Sequence, residues 1–405
     1  MEEKFDVVVV GGGLGGLTLA AALSDRGHPT VVLEARRGVT PIRRGMSLAP
    51  NGLRVLEKLH LLSDVEGIGR KLRTVRYLKS SGELLVAYDY NLLKTKQNYL
   101  LTLLPHELEI LLRKRAEETH VRVYEGATFE AFICENGEIG GVQATIDGKK
   151  QNLMGKVVVG ADGGRSKVRE AAGIRMISKP SKSSYLVTVA REVDGSKDDA
   201  SHYLAKGKML GSFSLPHGQY LFYYLPPGSV EAVKNSGLQR LKTNLTNLAP
   251  ELKGTLEELQ SWNDFPYMIP QDIRIETWVA DRVALIGDAA HSIEPSLGQG
   301  GSLTLSDVDT LLDVLDGCFA RSDFSANALR AYEEARRPQT EVLQRMAELT
   351  ATMMNTNNGA VEWVRDRILR KMRENQESMM LALEIASGSK ETVTIAEKLR
   401  LAGVF

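Results

Sequence analysis

The chain has 405 residues, with 51 Lys+Arg against 51 Asp+Glu and a formal net charge of zero. At roughly 150 residues per domain there is room for two to three domains, and for a core that needs no disulfide staples. Hydrophobic content of 43% and charged content of 25% exclude the disordered, collagen-like and membrane-spanning classes, and the even charge removes the electrostatic argument for nucleic-acid or anionic-membrane binding.

Glu2 and Glu3 stand where a secretory signal would be basic, and the apolar run Phe5 to Val10 is too short for a signal core. That run reads as a buried strand and ends abruptly in GGGLGG, Gly11 to Gly16. Leu17 to Leu23 then predicts a helix with small and apolar faces, stopped near Gly27, and Thr30 to Leu33 a second buried strand that delivers Glu34. Strand, turn, helix and strand make one βαβ unit with a right-handed crossover.

Residues from about 75 to 90 and from about 183 to 224 alternate apolar and polar, as strands of an antiparallel sheet do. Phe213 and Leu215, the turn Pro216-His217-Gly218, and then Tyr220, Phe222 and Tyr224 predict a hairpin with one aromatic face. Between these blocks, Glu107 to Glu117 reads as a helix and Lys156 to Val159 as a buried strand. Val283 to Ile286 is a third such strand, followed by a glycine-rich loop and a long helix with Val308, Leu311, Leu312 and Leu315 on one face. From about Ala326 onward the pattern is helical. The fold class is therefore α/β: a Rossmann-like nucleotide-binding domain (1–74, 100–172 and 275–350) interleaved with an antiparallel-sheet substrate domain (75–99 and 173–274), then a C-terminal helical segment (351–405). Cys134 and Cys318 match no metal or redox spacing, and the seven histidines show no zinc-type pair, so no metal is expected. No stretch approaches the ~20 apolar residues of a spanning helix, and a cytoplasmic location is expected.

Gly11, Gly13 and Gly16 fit GxGxxG, with Leu14 and Gly15 inside the motif and Glu34 18 residues after the last glycine. Glycine permits the tight turn, the approach of backbone to a pyrophosphate and close helix–strand packing, while the helix N-terminus offers free N–H groups. Glu34 is placed to accept from ribose hydroxyls, with Ala35 and Arg36 following on the same turn. Two more strands end in ligand-type residues: Val157-Val-Val-Gly-Ala-Asp162-Gly163, and Ala284-Leu-Ile-Gly-Asp288, which runs on to Pro295 and the loop Gly298-Gln299-Gly300-Gly301. If the three strands are parallel, their ends share one rim, and a long two-ended ligand such as FAD spans it. Asp288 suits a ribityl hydroxyl, and the helix after Gly298 aims its positive end at the flavin pyrimidine.

These motifs resemble the single-component FAD-dependent aromatic hydroxylases, the group A flavoprotein monooxygenases. The resemblance runs from GGGLGG through RRGMSLAPNGLRVL, VVGADGGRSKVR and ALIGDAAHSIEPSLGQGGS to LRAYEEARRP and WVRDRILR. It implies non-covalent FAD, NADPH or NADH as co-substrate, and O2 as oxidant. It also implies hydroxylation of an aromatic, quinone or polyketide-like small molecule through a flavin hydroperoxide. Asp162 would then serve both FAD and NAD(P)H, Arg44 would lie near the flavin phosphates and Gly45 beside the ring. Pro295, Gly298, Gln299 and Gly300 would line flavin and substrate, making Asp162, Pro295 and Gly298 the residues nearest the chemistry. Two positions depart from the family pattern: Pro105, followed by His106, stands where an FAD-contacting arginine is usual, and Ser302 replaces an asparagine, its hydroxyl still able to cap the helix.

Tyr220, Phe222 and Tyr224 are candidates for a substrate wall, or else fill the core of the sheet. His291 reads as a packing residue beneath the flavin loop rather than a base, and Arg365, Arg367, Arg370, Lys371 and Arg373 as a solvated basic face. Arg36 and Arg37 resemble a 2′-phosphate site, but Glu34 assigns that pocket to the adenosine ribose. Epoxidation or Baeyer–Villiger insertion by the same chemistry, and a non-enzymatic flavin- or ligand-binding protein, are the alternatives. A monomer or homodimer is expected, with no nucleic-acid partner.

Overall fold

Val7–Val10 are fully buried: parallel strands pair both edges, in the registers Val157↔Val7 and Val7↔Thr30, and the faces are covered by elements packed on the sheet, the helix Leu14–Asp25 among them. A strand covered twice has no use for alternation, so its sequence is continuously apolar. The computed structural model describes residues 3–177, 183–191, 199–390, 392–394, 396–397 and 401. In it this pairing grows into a six-stranded sheet, ordered 279–280, 283–285, 157–160, 7–10, 30–34 and 122–125, parallel except at the 279–280 edge. The helix Leu14–Asp25 packs on this sheet and against the helices Gly300–Arg321 and Pro105–Glu118. Its run Gly15–Leu23 is wholly buried, which its small residues permit. Pro105 occupies the first turn of its helix, where a missing N–H costs nothing.

The second large sheet has seven strands, ordered 267–268, 184–190, 218–225, 208–215, 200–205, 74–79 and 84–89. It is antiparallel except where 200–205 runs parallel to 74–79. Both faces are covered. Tyr203, Leu210, Leu221 and Tyr223 pack on Leu241, Leu245 and Leu248 of the helix Leu238–Leu248. The opposite face carries Tyr77, Tyr185, Val187, Leu204 and Met209 toward Leu369 and Met372 of Gly359–Glu374 and Met379 and Leu383 of Gln376–Ala386.

Two smaller sheets were not legible in the pattern. The strands 128–135, 138–146 and 149–154 form a meander extended by Glu3–Lys4, and Met46–Leu48, Leu100–Leu103 and Arg70–Leu72 form a three-stranded sheet. The basic helical face is also not uniformly solvated. Arg365 is 0% exposed and paired with Asp366 at 2.6 Å, because Gly359–Glu374 docks that side onto the sheet; Arg370 meets Glu83 at 2.8 Å, and Arg367 lies over the Trp363 ring. Within the alternating block, 192–198 lie outside the described residues, as do 402–405 of the C-terminal segment. Among the described residues, no helix is long and apolar enough to cross a membrane.

Candidate active site

The register sets three strand ends side by side: Gly160 pairs with Val10 and with Leu285, so Gly11, Asp162 and Asp288 leave adjacent strands on one rim. A cavity of about 870 Å³ opens there, near the upper end of the ~300–1,000 Å³ usual for ligand sites. On the parallel-sheet side it is lined by Gly13, Leu14, Gly15, Arg44, Gly45 and Asp288, and along one loop by Pro295, Gly298, Gly300 and Gly301. The far wall belongs to the seven-stranded sheet and includes Tyr77, His202, Phe213, Tyr220 and Phe222.

The glycines of the first turn have separate duties. Gly11 has φ 110°, and a Cβ there would meet Ala161 O at 2.2 Å; at Gly16 a Cβ would meet Gly11 O at 1.9 Å. Gly13, in contrast, faces open space, with nothing within 4 Å of an added Cβ. Together these bring the helix N-terminus up to a cradle of pyrophosphate type. Glu34 is buried, and its Oε2 accepts from Gly12 N at 2.7 Å, while Oε1 accepts from Arg36 N at 2.8 Å. Arg36 also reaches Glu109 at 3.0 Å, on the helix that begins with Pro105, and both Pro105 and Glu109 line the cavity; Ala35 is exposed.

Asp162 Oδ2 accepts from Lys167 N at 2.7 Å and Val168 N at 3.2 Å, while Oδ1 is buried with no partner. The carboxylate therefore pins its loop with one oxygen and holds the other in reserve. Asp288 is exposed at the cavity lining; crowding by the surrounding protein still raises its pKa, with His291 and Arg44 acting in the opposite direction. His291 itself is buried, with Nε2 2.7 Å from Asp307 Oδ2 and its ring tilted against Trp278, as expected of a packing residue.

Gly298 is left-handed at φ 63°, where a Cβ would meet Ser47 Oγ at 2.5 Å. The helix Gly300–Arg321 follows with no side-chain cap, so its first N–H groups, at the cavity-lining Gly300 and Gly301, are free to meet an electron-rich ligand. Ser302 does not cap this helix. It is fully buried and accepts from Ala49 N at 2.8 Å. Gln299 is fully buried too, accepting from Asn51 Nδ2 at 3.1 Å and donating to Ala386 O. Both hold the loop from behind rather than lining the cavity.

Gly45 lets the Tyr220 ring lie against the backbone, for a Cβ there would sit 2.7 Å from Tyr220 Cγ. Tyr220 and Phe222 line the cavity, whereas Tyr224 sits beyond it, edge-on to Tyr185 at 6.1 Å. Sequence reasoning passes over His202 and Tyr77, which line the cavity, and over Glu294, which accepts a hydrogen bond from Tyr185 that ties the Pro295 loop to the sheet. Their positions depend on which strand faces meet, and no motif records that.

These groups fit FAD: the cradle at Gly13, the unpartnered Asp162 Oδ1, the cavity-lining Asp288 and the free helix end are distinct features on one rim. The FAD binding domain family matches residues 4–347. The chain is 28% identical over 351 residues to 6-methylpretetramide 4-monooxygenase of Streptomyces rimosus, covering 86% of this chain and 84% of that protein. It is also 28% identical over 406 residues to 3-amino-4-hydroxybenzoate 2-monooxygenase of Streptomyces cremeus, covering 94% and 95%. The structure of P. aeruginosa PqsL in complex with 2-aminobenzoylacetate superposes with a TM-score of 0.79 at 25% identity, covering 88% of this chain and 98% of that one.

Proposed function

This chain belongs to the FAD binding domain family, as an FAD-dependent monooxygenase of the aromatic hydroxylase group, and on that premise we propose which of its residues serve the reaction and what it oxidises. The observation that carries this reading is the shared cavity: three adjacent strand ends bearing cofactor-type residues open onto the same space as an aromatic wall.

When bound, FAD supplies electron transfer from NADPH or NADH and activation of O2. The chain's own residues bind, orient and enclose. Gly11, Gly13 and the N-terminus of Leu14–Asp25 hold the pyrophosphate, and Glu34 the adenosine ribose. Asp288 would take a ribityl hydroxyl, and the N–H groups at Gly300 and Gly301 would face the electron-rich end of the ring system. Asp162 keeps its loop ordered and supports the transient nicotinamide cofactor. Pro295 and Gly298, with Tyr220 and Phe222 opposite, exclude water around a planar substrate. The aromatic wall offers face and edge contacts to a planar aromatic ring, which supports hydroxylation of such a ring. Residues 1–74, 100–172 and 275–350 form the FAD-binding unit, 75–99 and 173–274 the substrate unit. The protein works in the cytoplasm, as a monomer or homodimer, where NAD(P)H is at hand.

Two measurements test this. The purified protein is expected to be yellow and to release FAD on denaturation; flavin retained by the denatured chain contradicts non-covalent binding. Asp162→Ala is expected to keep some flavin yet be reduced by NAD(P)H about ten- to a hundredfold more slowly in anaerobic stopped flow, the worth of one charge-assisted hydrogen bond. Reduction at an unchanged rate removes Asp162 from the mechanism.

A further inference from the structure

The strand register places Tyr77, His202, Gly211 and Phe222 in one row across the seven-stranded sheet. The His202 ring stacks on Tyr77 with centroids 4.4 Å apart and meets Phe213 and Phe222 edge-on at 5.4 and 5.6 Å. His202 lines the cavity, is only 4% exposed, and its Nδ1 is buried with no hydrogen-bond partner. Three polar side chains on this side of the cavity are already engaged: Tyr185 donates to Glu294, Tyr88 lies 3.2 Å from Met372 Sδ, and Arg365 is held by Asp366 at 2.6 Å.

An imidazole left without a partner in an aromatic box is costly unless a ligand completes it. Burial lowers its pKa to about 3, so at neutral pH the ring is uncharged and offers one donor and one acceptor. Among the described residues lining the cavity, the cationic side chains are Arg44 and Arg365. Arg365 is neutralised by its ion pair, and Arg44 stands where the two sides meet, donating to Met268 Sδ at 3.8 Å and acting electrostatically on both Asp288 and Tyr220, away from the row that holds His202. The part of the wall formed by Tyr77, His202, Phe213 and Phe222 therefore has a polar anchor but no unpaired cation to hold a carboxylate.

We propose that His202 is the specificity-determining residue of the substrate site: it hydrogen-bonds a hydroxyl or carbonyl oxygen on an uncharged planar aromatic molecule held among Tyr77, Phe213 and Phe222, and the wall selects against aromatic carboxylates. This rests on the monooxygenase reading above. The test is equilibrium binding to the FAD-loaded protein at pH 7 of three probes of one shape: 2-naphthol, 2-methylnaphthalene and 2-naphthoate. The expected result is that 2-naphthol binds about tenfold tighter than either of the others. His202→Phe, which keeps the ring and removes both nitrogens, is expected to erase the preference for the hydroxyl while leaving 2-methylnaphthalene affinity unchanged; His202→Gln restores part of it. The ligand-free His202→Phe protein is expected to melt no lower than wild type, since the ring makes no hydrogen bond worth keeping. Four results overturn the inference: 2-naphthoate binding as tightly as 2-naphthol, a hydroxyl preference that survives in His202→Phe, a lower melting temperature with that preference intact, or no binding of any probe. A protein that carries FAD and is reduced by NAD(P)H but gives one of these results overturns this inference alone. One that holds no FAD overturns the reading beneath it.

Discussion

Asp307 shows how a residue remote from any motif sets the site. It is 0% exposed, its Oδ2 accepts from Gly287 N at 3.0 Å beside His291 Nε2, and its Oδ1 accepts from Arg336 Nε at 3.1 Å. Gly287 immediately precedes Asp288, so this buried network fixes where the cavity carboxylate points. Burial alone would raise the Asp307 pKa, but His291, Arg336 and the Gly287 N–H outweigh it and hold the group below the ordinary carboxylate value of ~3.9. A depressed folded-state pKa means the stabilisation is complete above that value and is lost as pH falls through the depressed one. Asp307→Asn leaves Arg336 unpaired and is expected to cost about 3–5 kcal/mol at pH 7, with the gap to wild type narrowing below about pH 4. Urea unfolding across that range measures it; a gap independent of pH contradicts the assignment. Glu34→Ala removes the acceptor of Gly12 N and of Arg36, and is expected to weaken FAD binding by about tenfold or more in a fluorescence titration of the apoprotein. Unchanged affinity would take Glu34 out of the cofactor site.

At the scale of elements, the aromatic wall depends on one missing side chain. Gly211 lies opposite Phe222, whose ring folds over it; a Cβ at Gly211 would fall 2.0 Å from Phe222 Cζ. Phe213, Tyr220 and His202 surround that ring at 5.4–5.6 Å, so it can give way only toward the cavity. Gly211→Ala is expected to destabilise by about 1–3 kcal/mol, and Phe222→Leu in the same chain to recover part of the loss, as a double-mutant cycle would show. Additive losses would mean the two positions do not touch. The buried parallel strands were legible because burial on two faces leaves an unbroken apolar run. The meander 128–154 was not, since its first strand buries little and carries Glu130 and Glu135, which leaves no apolar face to detect. Ser302 was misjudged for a related reason: a serine near a helix start suits a cap, but the helix begins at Gly300 and the hydroxyl turns to Ala49.

For the whole molecule, the cofactor rim and the substrate wall differ in how far sequence reveals them. The rim is written in short motifs because the groups around one ligand follow individual strands, as Gly11, Asp162 and Asp288 do. The wall is assembled from strands and helices distant in sequence: Tyr77, His202 and Phe222 face Leu369 and Met372 only because the C-terminal helices cover that side of the sheet. Arg365 reads as solvated in the sequence for the same reason, its burial arising from that docking. The separation is testable. Met372→Trp, which enlarges a cavity-lining side chain on the C-terminal helix, is expected to weaken binding of 2-naphthol while the bound FAD content stays at the wild-type level. Equal loss of both would mean the cavity does not divide this way.

The proposed reaction delivers one atom of molecular oxygen to a planar ring lying against the aromatic wall. Turnover under 18O2 with NADPH or NADH and 2-naphthol, read by mass spectrometry of the product, tests it most directly. The expected product bears a single 18O atom, with one NAD(P)H oxidised for each label incorporated. Oxidation of NAD(P)H that yields only hydrogen peroxide, or a product whose new oxygen comes from water, would contradict it.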